Sequence, residues 1–203
     1  MAKYKQEWIF GIRAVIEAIQ EEKEIDKVML KQGIRGELFQ QLFTLLRSRN
    51  IPFQYVPDEV FKPFADRNHQ GVLAEVAPVP YQELDEVLDA AVARGKVPFI
   101  LILDRVTDVR NFGAIIRSAE CAGVDAVVIP TKNSAKISSD ALKTSAGAIY
   151  HLPVCRVQNL KKVVRELKFQ REFQVYAATE KAEKFYTQVD MTLPTAVVMG
   201  SED

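Results

Sequence analysis

Asp104-Arg-Val-Thr-Asp-Val-Arg-Asn-Phe-Gly-Ala-Ile-Ile-Arg-Ser-Ala-Glu-Cys-Ala-Gly123 is the stretch on which the reading of this chain turns. It follows an apolar run, Phe99-Ile-Leu-Ile-Leu103, which has the length and composition of a buried strand. Phe112, Ile115, Ile116 and Ala119 then recur at the i, i+3, i+4, i+7 spacing of a helix with one buried face. Gly123 supplies the stop, and Ala126-Val-Val-Ile129 is a second apolar strand. The unit is therefore strand, polar turn, helix over 111–122, strand. At 100° per residue Arg117 lies about 140° round the helix from Phe112, so packing does not require it. A guanidinium there stands above the carboxyl edge of a parallel sheet, where open α/β folds bind ligands.

Outward from this unit the chain alternates helical and strand patterns, which predicts an α/β fold with helices covering a sheet. Toward the N-terminus, Gly11–Ile19 reads as a helix with Ile12, Val15, Ile16 and Ile19 on one face, and Lys27–Leu30 as a short strand. Glu37–Arg49 reads as a second helix with Leu38, Leu42, Leu45 and Leu46 on its core side. Pro52–Val56 and Gly71–Val76 read as strands, with a short helix starting at Asp58. Pro78 and Pro80 break the pattern, and an acidic amphipathic helix over Tyr81–Ala93 follows. Toward the C-terminus, Ser138–Lys143 is a short helix, Asn159 caps a helix over 160–170, and Gln174–Ala178 and Thr195–Met199 are strands.

Bulk properties exclude several classes. The 203 residues carry a formal net charge of zero, so there is no overall basic footprint of a nucleic-acid binder, although local patches remain open. Lys132, Lys136 and Lys143, beside Ser134, Ser138 and Ser139, form one such basic and polar region. The two cysteines, Cys121 and Cys155, stand apart without a CxxC or His/Cys cluster, and are expected as reduced, buried thiols with no metal. No apolar run reaches membrane-span length and no signal-peptide core is present, which makes the cytoplasm the expected location. His69 lacks a paired Ser, Cys or Asp motif and is read as structural or RNA-facing; Tyr55, Phe61 and Phe64 are read as core packing in preference to base stacking.

Asn111-Phe-Gly-Ala-Ile-Ile-Arg117 and its helix resemble the first motif of the SpoU (TrmH) class of RNA 2'-O-ribose methyltransferases, within the SPOUT superfamily. Ala196-Val-Val-Met-Gly-Ser-Glu202 is similar to the second motif, a Gly-x-Glu loop after an apolar strand. The third motif would fall beyond Asp203, so the chain is expected to be part of a longer enzyme. Phe10–Ile19 and Asn68-His-Gln-Gly-Val-Leu-Ala74 look like the two ends of an L30e-like substrate domain. This extension is similar to that of the RlmB-type guanosine-2'-O-methyltransferases of large-subunit ribosomal RNA.

The resemblance implies an L30e-like α/β RNA substrate-binding domain over residues 1–76, a linker over 77–97, and a SPOUT-type α/β methyltransferase domain with a parallel sheet over 98–203. The trefoil knot of full-length family members is expected to be incomplete here. The implied cofactor is S-adenosyl-L-methionine, and the implied partners are RNA, 23S rRNA in particular, and a second copy in a homodimer. No membrane and no metal are implied.

Residue by residue, Arg117, Asn111 and Glu202 are the catalytic candidates. Gly200, Ser201 and Thr179 are the cofactor-binding candidates, and Arg13, His69, Gln70 and Lys136 the RNA-binding ones. In the family this arginine is discussed as the base for the 2'-hydroxyl. Arginine stays protonated in proteins, so a guanidinium that clamps phosphate and stabilises a developing alkoxide fits the residue type better. Each site residue also has a structural reading: helix cap for Asn111, surface charge for Arg117 and Glu202, turn glycine for Gly200. A nicotinamide-dependent Rossmann enzyme would need a Gly-rich turn after strand 99–103, and the turn Asp104–Asn111 has none. A non-catalytic RNA-binding protein and a tRNA ribose methyltransferase remain as alternatives.

Overall fold

A computed structural model of the chain describes residues 7–201, which divide into two compact units between Pro80 and Tyr81. The first unit runs β1 (Glu7–Phe10), α1 (Ile12–Gln20), β2 (Ile25–Lys31), α2 (Glu37–Ser48), β3 (Phe53–Val56), a 3-10 helical segment (Asp58–Phe64) and β4 (Val72–Val76). Its sheet has the order β1-β4-β2-β3; β4 is antiparallel to both neighbours and β2 and β3 are parallel. Strand alternation divides the apolar residues between two faces. On one face Val28, Leu30, Val72 and Ala74 meet Ile12, Val15 and Ile19 of α1 and Phe39, Leu42 and Leu46 of α2. On the other, Val56, Phe61 and Leu73 pack with Trp8, Phe10 and Phe64.

Three sequence expectations change here. Ile16, Leu38 and Leu45 are only half-buried, while Ala18 and Phe39 are among the buried residues of their helices. β1 was not expected; it is a four-residue edge strand. Tyr55, expected in the core, is 48% exposed because β3 is an edge strand and its alternation turns that ring outward.

The second unit runs α3 (Leu84–Ala93), β5 (Phe99–Leu103), α4 (Val109–Cys121), β6 (Ala126–Pro130), α5 (Ser139–Thr144), β7 (Val154–Val157), α6 (Leu160–Gln170), β8 (Gln174–Ala178) and β9 (Thr195–Met199). Five strands in the order β7-β6-β5-β9-β8 make an all-parallel sheet. Parallel sheets need both faces covered. Val87 and Leu88 of α3 and Leu167 of α6 cover one face, meeting Ile100, Ile102, Ala126, Val128, Cys155 and Ala196. The segment 77–97 expected as a linker therefore lies largely inside this unit. α4 turns its buried Phe112, Ile116 and Ala119 to the other face, that of Leu101, Leu103, Val127 and Ile129.

The expectation of two buried thiols holds for Cys155 and fails for Cys121. Cys121 ends α4 on the exposed side, whereas Cys155 is inside the α3/α6 core layer. Burial, reinforced by the charge of Glu83, pushes the Cys155 thiol up to about 12 from its ordinary 9.0. The folded chain thus retains a proton that the unfolded chain releases above pH 9, so stability is intact below that pH and falls as pH rises toward 12. Urea unfolding midpoints should decline across this alkaline window, and the Cys155→Ala variant should show a shallower decline. Equal slopes in both proteins would refute the role of Cys155.

Candidate active site

The strand order fixes where a ligand can sit. From β5 the chain adds β6 and β7 on one side, then crosses to β8 and inserts β9 against β5. The switch point lies between β5 and β9, and in open α/β sheets ligands bind outside the strands' carboxyl ends at such a point. The loops leaving these two strands are Asp104–Asp108 and Gly200–Ser201. Asp104, the first residue after β5, continues the strand ladder, its N–H donating to the carbonyl of Met199, the last residue of β9, at 2.8 Å. Arg105 holds a left-handed conformation, φ 59°, which costs a non-glycine residue energy and is concentrated at functional sites. The loop after β6 joins the same edge, because Ala135 N–H donates to the Val106 carbonyl at 2.7 Å.

α4 starts two residues earlier than its apolar pattern predicts. Asp108 is its N-cap, with the carboxylate accepting from Asn111 N–H at 2.7 Å. Asn111 is therefore not the cap; its side-chain amide is exposed and has no hydrogen bond among the described residues. Gly113, two residues on, lies against α5. A Cβ there would overlap the Thr144 hydroxyl and stand 2.9 Å from both Thr144 Cβ and the Ala141 carbonyl oxygen. Sequence periodicity had no signal for this, because a glycine in a helical stripe reads only as a weak position.

Arg117 is exposed, two turns along α4, about 12 Å from the first helical residue. It lines a shallow groove with Ala114, Ser118, Cys121, Ala122 and Thr144. Among the described residues this groove contains nothing from the loop after β9, so Arg117 and Gly200 share no cavity. Glu202 lies outside the described residues.

Of the cofactor candidates Thr179 lines a cavity, while Gly200 and Ser201 are not among its lining residues and follow Met199, which is in register with Ala178 next to Thr179. On the α4 face of the sheet, coverage stops after β5: Val197 and Met199, in register with buried Leu101 and Leu103, are half-buried. There Tyr176, Ala178 and Val197 floor a cavity of about 680 Å³ whose rim includes Thr179, Phe185 and Met191. Thr179 is exposed and makes a turn, accepting from Ala182 N–H through its carbonyl at 3.1 Å and from Lys181 N–H through its hydroxyl at 3.3 Å. Asp190, also on the rim, is held below the usual carboxylate range by hydrogen bonds from the Thr192 hydroxyl and N–H. Ser201 is half-buried, and a Cβ on Gly200 would meet nothing within 4 Å. A volume in the few-hundred-Å³ range with an apolar floor and polar rim fits a nucleoside-containing cofactor.

In the first unit the structure brings Arg13, His69 and Gln70 to one end. α1 begins after Gly11, which has no side chain to cap it. The missing cap comes from 58 residues away: Gln70 Oε1 accepts from Ile12 N–H at 3.2 Å. Gly11, at φ 90°, passes the Asn68 carbonyl oxygen so closely that a Cβ would stand 3.0 Å from it. His69 accepts from Gly71 N–H through Nδ1 at 3.0 Å and stacks on Phe61 at 4.9 Å, which leaves Nε2 to other partners. Arg13 stands exposed beside this loop, and Arg67, which the sequence reading passed over, lies 5.8 Å above the Phe10 ring. Lys136 belongs to the second unit and is half-buried. Among the described residues no cluster of three His, Cys, Asp or Glu side chains could hold a metal, and no helix is long and apolar enough to cross a membrane.

A model of the SpoU rRNA methylase family matches residues 98–203, and one of the RNA 2'-O ribose methyltransferase substrate-binding domain matches residues 8–82. The chain belongs to the SpoU rRNA methylase family. The protein named YacO of Bacillus subtilis (strain 168), assigned to the TrmH family of tRNA/rRNA methyltransferases, is 35% identical over 199 residues, 98% of this chain and 79% of that protein. A TrmH family relative from Staphylococcus saprophyticus is 35% identical over 194 residues, 96% of this chain and 78% of its own. Among solved structures, the SpoU methyltransferase AviRb from Streptomyces viridochromogenes, in complex with the cofactor AdoMet, superposes with a TM-score of 0.52 at 20% identity. That match covers 96% of this chain and 72% of AviRb, and shows a shared SpoU fold.

Proposed function

We propose that this SpoU family chain transfers a methyl group from S-adenosyl-L-methionine to the 2'-hydroxyl of a guanosine ribose in 23S rRNA, in the cytoplasm and as a homodimer. The observation that carries the reading is the insertion of β9, which bears the second family motif, directly beside β5, from which the chain enters the helix of the first motif. When bound, S-adenosylmethionine supplies a sulfonium methyl for in-line displacement by the ribose oxygen. Gly200, Ser201 and Thr179 would hold it along the uncovered flank of β9 and β8. Asn111, whose amide has no hydrogen-bond partner among the described residues, would orient the ribose. Arg117 would clamp an adjacent phosphate and offset the negative charge growing on the 2'-oxygen. Glu202 would orient Arg117. Arg13, the His69–Gln70 loop and Lys136 would contact the RNA backbone, with the 2'-hydroxyl marking RNA against DNA.

Incubation with methyl-labelled S-adenosylmethionine and 23S rRNA, followed by alkaline hydrolysis, tests this, because a 2'-O-methyl group blocks cleavage at its own linkage. Label should appear in an alkali-stable dinucleotide that begins with guanosine. Label confined to bases would overturn ribose methylation, and label in tRNA alone would move the substrate class. A second reading, RNA binding without methyl transfer, draws on Arg117 and Thr179 lining separate cavities. It predicts RNA binding with no transfer of label at all.

A further inference from the structure

α6 has a face that the methyl-transfer reading leaves unused. Residues 160–171 hold five basic side chains, Lys161, Lys162, Arg165, Lys168 and Arg171, against one carboxylate, Glu166, in a chain of zero net charge. Leu160, Val163, Val164 and Leu167 turn inward to the core of the second unit. At 100° per residue Phe169, Lys162 and Arg165 lie within about 30° of the direction facing away from this core, with Lys161 and Lys168 about 70° and 90° round on one flank.

Two of the five cations are already paired. Arg171 binds Asp85 and Asp89 of α3 at 2.8 and 2.9 Å, and Lys162 stands 3.4 Å from Glu166. Lys161, Arg165 and Lys168 form no ion pair among the described residues. Phe169 is 72% exposed, with the Lys168 ammonium 5.6 Å from its ring centroid. Lys161, Lys162, Arg165 and Phe169 line one shallow groove with Asn159 at its head.

We propose that this stripe on α6 is a second RNA-binding surface, holding backbone phosphates of the strand that flanks the target ribose and stacking one unpaired base on Phe169. The proposal rests on the reading above that RNA is the substrate. Its topology suits that role: α6 starts directly beyond β7, so Lys161 and Lys162 stand at the same sheet edge as the switch point. Lys168 and Phe169 follow about 10–12 Å further along the helix axis. Unpaired cations interleaved with an exposed aromatic ring are what single-stranded nucleic acid engages, through charge and stacking together. A membrane surface would need the apolar face of the helix, and that face is already packed on the sheet.

The test is equilibrium binding of the full chain to a fluorescein-labelled, mixed-sequence single-stranded RNA, followed by anisotropy over a salt series. Lys161→Ala/Arg165→Ala/Lys168→Ala should weaken binding about tenfold or more and make the slope of log affinity against log salt shallower by about 2. Phe169→Ala should weaken binding several-fold with the slope unchanged, because stacking releases no counterions. All four side chains are exposed, so thermal midpoints should match the wild type. Wild-type affinity and slope in the triple variant would overturn the proposal. Loss of retention on phosphatidylserine vesicles with RNA binding intact would overturn it too, and assign the stripe to anionic lipid. Stripe-dependent RNA binding by a wild-type chain that transfers no methyl would leave this inference standing and sink the methyl-transfer reading.

Discussion

Arg117→Ala should lower methyl transfer by about 10²- to 10³-fold, the cost of losing one positioned donor to a developing oxyanion. RNA affinity should stay within a few-fold, because many phosphate contacts share the binding energy. The expected signature is a fall in kcat and in kcat/KM alike, with KM little changed, which marks an interaction made in the transition state. Structure gives this variant an unusually clean reading. Arg117 is exposed and forms no ion pair among the described residues, so its removal should leave the unfolding free energy from urea titration within about 0.5 kcal/mol of wild type. Arg117→Lys keeps the charge but loses the planar fork, and should recover only part of the rate. Near-wild-type turnover by the alanine variant would remove Arg117 from the chemistry.

Gly113→Ala should destabilise the chain by about 1–3 kcal/mol, the usual cost of overpacking. Helix propensity alone argues the opposite sign, since alanine is better than glycine in a helix interior by about 1 kcal/mol. Crowding wins because the new methyl would run into Thr144 and into the Ala141 carbonyl, which is backbone and cannot rotate away. α5 must then move off α4. Thr144→Ala in the same background removes the hydroxyl that meets the methyl first, and should restore part of the loss. The double-mutant cycle should therefore show favourable coupling between positions 113 and 144. An unfolding midpoint equal to or above that of wild type in Gly113→Ala would contradict the packing account.

Much of the architecture was legible in the sequence because it rests on local periodicity. The apolar stripe Phe112, Ile115, Ile116, Ala119 and the runs 99–103, 126–129 and 195–199 each specify an element without reference to distant residues. The two unread strands, β1 and β7, are four-residue edge strands, too short for an alternating pattern to stand out from neighbouring loops. Asp108 was passed over as the cap because Asn111, three residues later, is also a capping type; only the hydrogen bond distinguishes them.

At the candidate site, residue types were readable and relations were not. The cap that Gln70 provides for α1 joins positions 58 residues apart, and nothing in either segment announces the other. Similarly, the second motif reads as a strand and a loop, but its place beside the first comes from the insertion of β9 between β5 and β8. The separation of the Arg117 groove from the cavity at Thr179 is likewise a matter of which side of α4 faces which neighbour.

That insertion also sets an order of assembly. Phe99 pairs with Thr195, so the middle of the sheet waits for a partner made 96 residues later, while β5, β6 and β7 can already be joined. Until then β5 presents a naked apolar edge to the cell, and β8 has nothing to dock on. A nascent chain stalled before β9 should be a client for chaperones, and a substrate for proteases, to a degree that the finished chain is not.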